Sequence, residues 1–188
     1  IQQAASLNGD RYATFHQLTE EQRKKLQEDS RLIEVGSVIS VGSIRLEKSS
    51  LTLYMREYLD NALDAYPSIS KLKEGNLPEQ PYEIALPQNA LSYLGKELKP
   101  GDTITLEGEV SRMDGSIPPY EYAAEFLITG ILESNYIGYS TGSLNAVVGE
   151  GTASDLLPEA YELYSTDFKT RDKIQFQKIV YELAESPV

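Results

Sequence analysis

The sequence predicts an α+β fold, and three observations carry that reading. Apolar and β-branched residues alternate with period two in short stretches near both ends and through the middle. Phe176, Ile179, Val180 and Leu183 recur at helical spacing near the C-terminus, with Lys, Gln and Glu on the other side. Strand-like and helix-like segments do not alternate in the regular rhythm of βαβ units.

Taken in order, Ile1 to Asn8 is small and polar and reads as a linker, and Arg11–Phe15 as a short strand. Thr19-Glu-Glu-Gln22 forms a capping box, because Thr19 can accept from the Gln22 amide while the Gln22 side chain reaches back. It opens a polar helix running to about Asp29, with Leu26 almost its only apolar residue. Ile33–Leu46 is a strand kinked at Gly36 or Gly42, and Leu51–Met55 pairs with it as a hairpin. The echo of Val35-Gly-Ser-Val38 in Val41-Gly-Ser-Ile44 fits a kinked strand better than a repeat array. Leu59, Leu63 and Tyr66 predict a helical face, interrupted at Pro67 and ended near Gly75.

Tyr82–Leu86 is a strand, after which Pro87 opens a short helix that Gly95 closes. Pro100-Gly-Asp102 is a turn and Thr103–Leu106 a strand. Glu107–Tyr122 reads as a loop with its tip at Asp114-Gly115. Glu125–Leu132 is nearly continuously apolar and predicts a central strand buried on both faces. Leu144–Val148 and Tyr161–Phe168 are further strands, and Thr170 is the expected cap of the last helix.

The net charge of −12 excludes a sequence-independent grip on nucleic acid and a polybasic attachment to an anionic membrane. No cysteine is present, so disulfides, thiol nucleophiles and thiolate metal sites are excluded. No apolar run approaches the ~20 residues of a membrane span, and no signal peptide is visible.

Catalytic signals are weak. His16 is the single histidine, and beside Phe15 it reads as structural or solvent-exposed. Gly149-Glu-Gly151 lacks the third glycine of a dinucleotide fingerprint, and there is no Walker lysine motif. Asp60 and Asp64 stand at helical spacing and could share a proton or a cation, but such pairs arise by chance in an acidic chain and no EF-hand loop accompanies them. No cofactor and no metal are expected. The aromatic set is skewed: thirteen tyrosines, four phenylalanines and no tryptophan. Tyr120, Tyr122, Tyr136 and Tyr139 fall in loop-like stretches, where exposed tyrosines supply partner-binding area. The other reading is that each ring packs on its own loop with only its hydroxyl wet.

Three segments, Glu74–Pro87, Asn89–Gly95 and Lys99–Leu106, carry a resemblance. The residues that stand out are Gly75, Pro78, Glu83, Gly95, Gly101 and Asp102, joined by Gly130 in Phe126–Leu132. This pattern resembles the extracytoplasmic domain of FtsX/MacB-like bacterial ABC-transporter permeases. In that family a Gly-x-Leu-Pro…Glu-Ile strand, a short helix ending Leu-Gly, a Gly-Asp-x-Ile strand and a Phe-x-Val-x-Gly-Ile strand come in that order. Tyr12-Ala-Thr-Phe15, the helix from Thr19 and the Ile33 strand resemble the segment after the first membrane helix in Gram-positive members.

The resemblance implies a porter-like α/β sandwich lobe built from residues 9–75 and 160–188, with residues 1–8 as the linker from a membrane helix. Residues 76–159 would be an inserted β-rich, sabre-like lobe. It implies a domain on the outer face of the plasma membrane that binds a substrate or partner protein and relays ATP-driven motion. Its partners would be a cytoplasmic ATP-binding subunit reached through membrane helices, a second permease copy and an extracellular substrate or protein. A free secreted or lipoprotein-type binding protein of similar fold is the alternative, and a small carboxylate enzyme the third. The segments 107–122 and 133–152 carry no motif of that family.

Overall fold

The computed structural model describes residues 5–8, 12–60, 62–95, 97–134 and 140–185. Within them ten strands join in one mixed sheet with few helices, an α+β architecture. The chain enters through β1 (Ala5–Asn8) and β2 (Tyr12–Leu18), which pair antiparallel. Thr19 then caps α1 (Glu20–Glu28): its Oγ1 accepts from the Gln22 amide at 3.3 Å while Gln22 Oε1 accepts from the Thr19 amide at 2.9 Å. Leu26 and Arg23 are the two buried residues of this helix, as its narrow apolar face requires.

Strand β3 (Leu32–Arg45) runs fourteen residues and changes neighbours along its length. Its first half pairs with β10 (Tyr164–Thr170), which in turn pairs with β2. From Ser37 onward it pairs with β4 (Thr52–Leu59), with a register shift between Ser40 and Gly42. The bend expected at Gly36 or Gly42 therefore sits at Gly42 on the β4 side.

The predicted helix over 59–75 does not form. Leu59 ends β4, Ala62–Ala65 is one turn of 3-10 helix, and Leu72–Gly75 is the edge strand β5. Leu59 is paired with Ser37 across the ladder, Asp60 stops the strand at φ 55°, and Pro67 forbids continuing the turn. Beyond it come β6 (Glu83–Pro87), a 3-10 helix over Gln88–Leu94 ended by Gly95, β7 (Thr103–Val110) and β8 (Tyr120–Leu132). The loop expected over 107–122 is much shorter, because both strands run on past it. Glu107-Gly-Glu-Val110 and Tyr120-Glu-Tyr-Ala123 keep the two-residue alternation that a half-buried hairpin needs. β8 is also two-sided only at its end: Ile131 and Leu132 are both buried, whereas Leu127 is 40% exposed.

β9 (Ser143–Val148) leads through Gly149-Glu-Gly151 into α2 (Thr152–Leu156), and after β10 the chain closes with α3 (Phe176–Glu185). Thr170 is not the cap of α3, since it lies inside β10; in the turn ahead of the helix Asp172 Oδ1 accepts from the Ile174 and Gln175 amides, at 2.9 and 3.3 Å.

The pairings β3–β4, β4–β9, β9–β6, β6–β8, β8–β7 and β7–β3 close a six-stranded ring. The β4–β9 and β6–β8 pairs are parallel and the rest antiparallel. The last link is thin, one position, Ser43 opposite Glu109. Buried side chains fill the ring, among them Leu53, Met55, Ile84, Phe126, Ile128 and Leu144. The same core continues under β2, β10 and β3, where Phe15 stacks on Phe168 at 5.4 Å and α3 contributes Phe176, Ile179 and Val180. Within the sequence ranges 9–75 and 76–159, β4 of the first is hydrogen-bonded to β9 of the second. No helix among the described residues is long and apolar enough to cross a membrane.

Gly130 on β8 stands opposite Gly75 on β5, and a Cβ on Gly130 would overlap the Asn76 carbonyl oxygen. Gly95 has φ 88° with open space around it, so only its backbone conformation restricts it. Gly130→Val is expected to lower stability by about 2–3 kcal/mol through overpacking, and Gly95→Val by about 1–2 kcal/mol through the left-handed conformation alone. Urea denaturation of both variants checks the order; equal losses would show that Gly130 is not a close-packed position.

Candidate partner-binding face

The motif residues gather around β8. Gly101 donates its amide to the Ile128 carbonyl at 2.8 Å, and the Ile128 amide donates to the Asp102 carbonyl at 2.8 Å. Asp102 Oδ2 accepts from the Lys99 amide at 3.0 Å, which locks the turn Lys99–Asp102 onto the strand. On the other edge Gly75 is held at φ 77°, with the Asn76 amide on the Thr129 carbonyl at 2.9 Å. Glu83 begins β6 and uses Oε2 to accept from the Glu79 and Gln80 amides, at 2.9 and 3.2 Å, so the half-buried Pro78 lies just ahead of a clamped turn. Gly95 stands apart, ending the 3-10 helix. The other motif residues hold β5, β6 and β7 against β8.

Tyr120 and Tyr122 lie in β8, not in a loop, and both are half-buried. The Tyr122 ring crosses Gly108 of β7, and its hydroxyl donates to the Val41 carbonyl of β3 at 2.8 Å. It thus fastens the single-position link between β7 and β3, and burial pushes its phenol well above the ordinary range. Tyr120 packs on Tyr122 at 6.1 Å and on Tyr161 at 5.5 Å, and Tyr161 donates to the Pro118 carbonyl at 2.5 Å. The hairpin tip is tied to the segment before β10 by this bond and by Arg112, which donates to the Ala160 carbonyl at 3.1 Å. Tyr136 and Tyr139 lie outside the described residues. The outward face of the hairpin presents Glu107, Glu109, Glu121 and Glu125, with Glu109 directly across from Glu121.

The groups weighed for catalysis fall apart in space or in role. Asp60 accepts from Arg23 and Gln27, both at 2.8 Å, while Asp64 is exposed on the 3-10 turn, so the two do not share a helix face. Arg23 is buried between Glu20 and Asp60 and lies over the Tyr164 ring at 5.1 Å, which pins α1 to the end of β4. His16 Nδ1 lies 3.1 Å from Ser165 Oγ, and no carboxylate hydrogen-bonds its ring among the described residues. Among the described residues no group of three or more His, Asp or Glu converges to hold a metal ion.

Sequence reasoning passed over Glu57. Leu53, Met55, Glu57 and Leu59 share one face of β4, so the alternation itself places a carboxylate in the core. Glu57 is 4% exposed, and its Oε1 accepts from the Ala153 amide at 2.8 Å, fastening the Gly149–Ala153 turn to β4. Burial raises its pKa, the amides of Ala153, Gly151 and Thr152 oppose that, and Glu150 adds repulsion. A raised folded-state pKa contributes stability below the unfolded value near 4.5 and loses it as pH rises through the folded value. Glu57→Gln is therefore expected to gain on the parent chain as pH rises from about 4 to about 7. Melting temperatures of both proteins across that range test it, and a constant gap would sink it.

Comparison with protein-family models and with curated proteins gives no match. Comparison with solved structures does. The periplasmic region of MacB from Actinobacillus actinomycetemcomitans superposes with a TM-score of 0.55 at 15% identity, over 94% of this chain and 85% of that one. The extracellular domain of the noncanonic ABC-type transporter YknZ from Gram-positive bacteria superposes with a TM-score of 0.55 at 11% identity, over 91% and 79%. The chain has the fold of the extracytoplasmic domains of these ABC-type transporter permeases.

Proposed function

We propose that this chain is the extracytoplasmic domain of an ABC-transporter permease, which binds a substrate or partner protein outside the cell and relays ATP-driven motion to it. The observation that carries the reading is the match to the MacB and YknZ domains over more than nine-tenths of the chain. The strand pairing supports it. β2 near the N-terminus and β10 near the C-terminus are adjacent and antiparallel, so both ends of the chain belong to one side of the sheet. They are suitably placed to continue into neighbouring membrane helices, which would join the domain to an ATP-binding subunit and a second permease copy.

In this reading β1, β2 and β10 with the first half of β3 form the membrane-proximal lobe, α1 lying against β2, β10 and β3. The ring of β4, β6, β7, β8 and β9 with the second half of β3 forms the outer lobe. The domain has no chemistry of its own, and ATP is hydrolysed on the cytoplasmic partner. The hairpin tip, with Tyr120 behind it, and the segment holding Tyr136 and Tyr139 are the partner-binding parts.

The absence of cysteine gives a direct test of location. Glu28→Cys, exposed on α1, is introduced into an otherwise cysteine-free version of the whole gene product. Labelling of intact cells by a membrane-impermeant maleimide is the expected result. Labelling only after lysis would overturn the proposal. Release of the labelled protein into the medium, without membrane fractionation, would favour the free binding protein.

A further inference from the structure

A pocket of about 240 Å³ lies where β2, β10, β3 and β4 meet the residues that come after β7. Its polar wall is His16, Gln17, Ser40, Arg56, Arg112 and Ser165, and Met113 and Leu163 belong to its apolar wall. In a chain with 29 acidic residues against 17 basic ones, no carboxylate among the described residues lines it. Burial, with repulsion from Glu20, Glu159 and Glu57, raises the pKa of Glu162, which lies between Tyr161 and Leu163 in sequence.

The charges inside do not balance. Arg112 is neutralised by Asp114, to which it donates from Nε at 3.3 Å and from Nη2 at 3.1 Å. Arg56 has no such partner. It is half-buried, donates to Asn145 Oδ1, interacts with the Tyr58 hydroxyl and lies over the Tyr54 ring at 5.1 Å, yet no carboxylate forms an ion pair with it among the described residues. A guanidinium withdrawn from water without a counter-ion favours an arriving anion. Two hydroxyls share the pocket wall: Ser40 is the cross-strand neighbour of Arg56, and Ser165 is held by His16. Gln17 adjoins His16 at φ 56°, a conformation that costs a non-glycine residue energy and that recurs at ligand sites.

We propose that this pocket binds the oxyanion head of a small ligand, a carboxylate or a phosphate group, with an adjoining apolar group lying against Met113 and Leu163. The volume is below the ~300–1,000 Å³ of pockets that enclose whole drug-sized ligands, so the head group enters and the remainder stays outside. Met113, 83% exposed at the hairpin tip, is positioned to cover that remainder. This inference does not depend on the permease reading.

The single histidine makes the test direct, because its ring protons give one unambiguous set of NMR signals. The other charged or titratable groups lining the pocket are Arg56 from β4, Arg112 from the hairpin tip and Tyr161 from the turn before β10. The 188-residue chain is titrated at constant pH and ionic strength with sodium acetate, inorganic phosphate and sodium chloride. Saturable shifts of the His16 signals by acetate, by phosphate or by both are expected; acetate alone assigns the site to carboxylates and phosphate alone to phosphoryl groups. Arg56→Gln should weaken that binding by about tenfold or more while the melting transition stays cooperative. If that variant does not fold, Ser165→Ala, which removes a hydroxyl and no charge, should weaken it several-fold. Shifts no larger than those from chloride, or wild-type affinity in the folded variant, would overturn the proposal.

Discussion

Strand β3 is the constraint on which the other elements depend. Its first half carries β10 and, through it, β2 and β1, while its second half carries β4 and closes the ring against β7. One strand with two sets of neighbours must bend, and the register shift between Ser40 and Gly42 is where it does so. The longer-range arrangement depends on that bend. α1 lies against the β2–β10–β3 part, and Arg23 joins it to Asp60 where β4 ends. The main apolar core runs unbroken from Phe15 and Phe168 to Phe126, and a small cluster of Ala85, Leu132 and Val147 lies on the other face of the ring strands.

The ring is closed by geometry more than by backbone pairing. A single ladder position at Ser43 and Glu109 would leave most of that edge open, and Tyr122 supplies what the ladder lacks by reaching over Gly108 to the Val41 carbonyl. Such use of an aromatic ring over a glycine serves to finish a sheet edge. Around the ring the links differ greatly in strength: eight paired positions join β7 to β8, whereas one joins β7 to β3.

The elements that could be read from the sequence were those whose local chemistry agrees with their tertiary setting. The Thr19–Gln22 box, the α3 stripe, the β3–β4 hairpin and the turn at Pro100–Asp102 are each specified within a few residues, and each forms. Segment 59–75 was illegible for the opposite reason: its spacing of Leu59, Leu63 and Tyr66 satisfies a helix, while Leu59 is claimed by Ser37 across the sheet and Leu72 by Leu132. The extensions of β7 and β8 were hidden by Glu and Gly on their outward and crossing positions. Those residues lower strand propensity without opposing the alternation. Glu57 was legible from the period of β4 and was missed because a carboxylate in an apolar register is weighed as an exception. The Arg56 pocket could not be read at all, since its walls come from positions 16 to 165 and only the fold brings them together.

Charge is sorted by the same two-residue period that builds the sheet. The acids of the hairpin stand on its outer face, at Glu107, Glu109, Glu121 and Glu125, and the buried acid Glu57 faces the core. Arg56, next to Glu57 in sequence, must point the opposite way, because successive residues of a strand face opposite sides. Alternation therefore separates the two charges of an adjacent pair and leaves each to find its own environment. Glu57 finds the amides of the Gly149–Ala153 turn, and Arg56 finds an amide oxygen, a tyrosine face and a pocket without a counter-ion. The tip of the β7–β8 hairpin contributes Arg112 and Met113 to the wall of that pocket. An anion held there would lie across the β3–β7 boundary, where the ring is joined by a single ladder position.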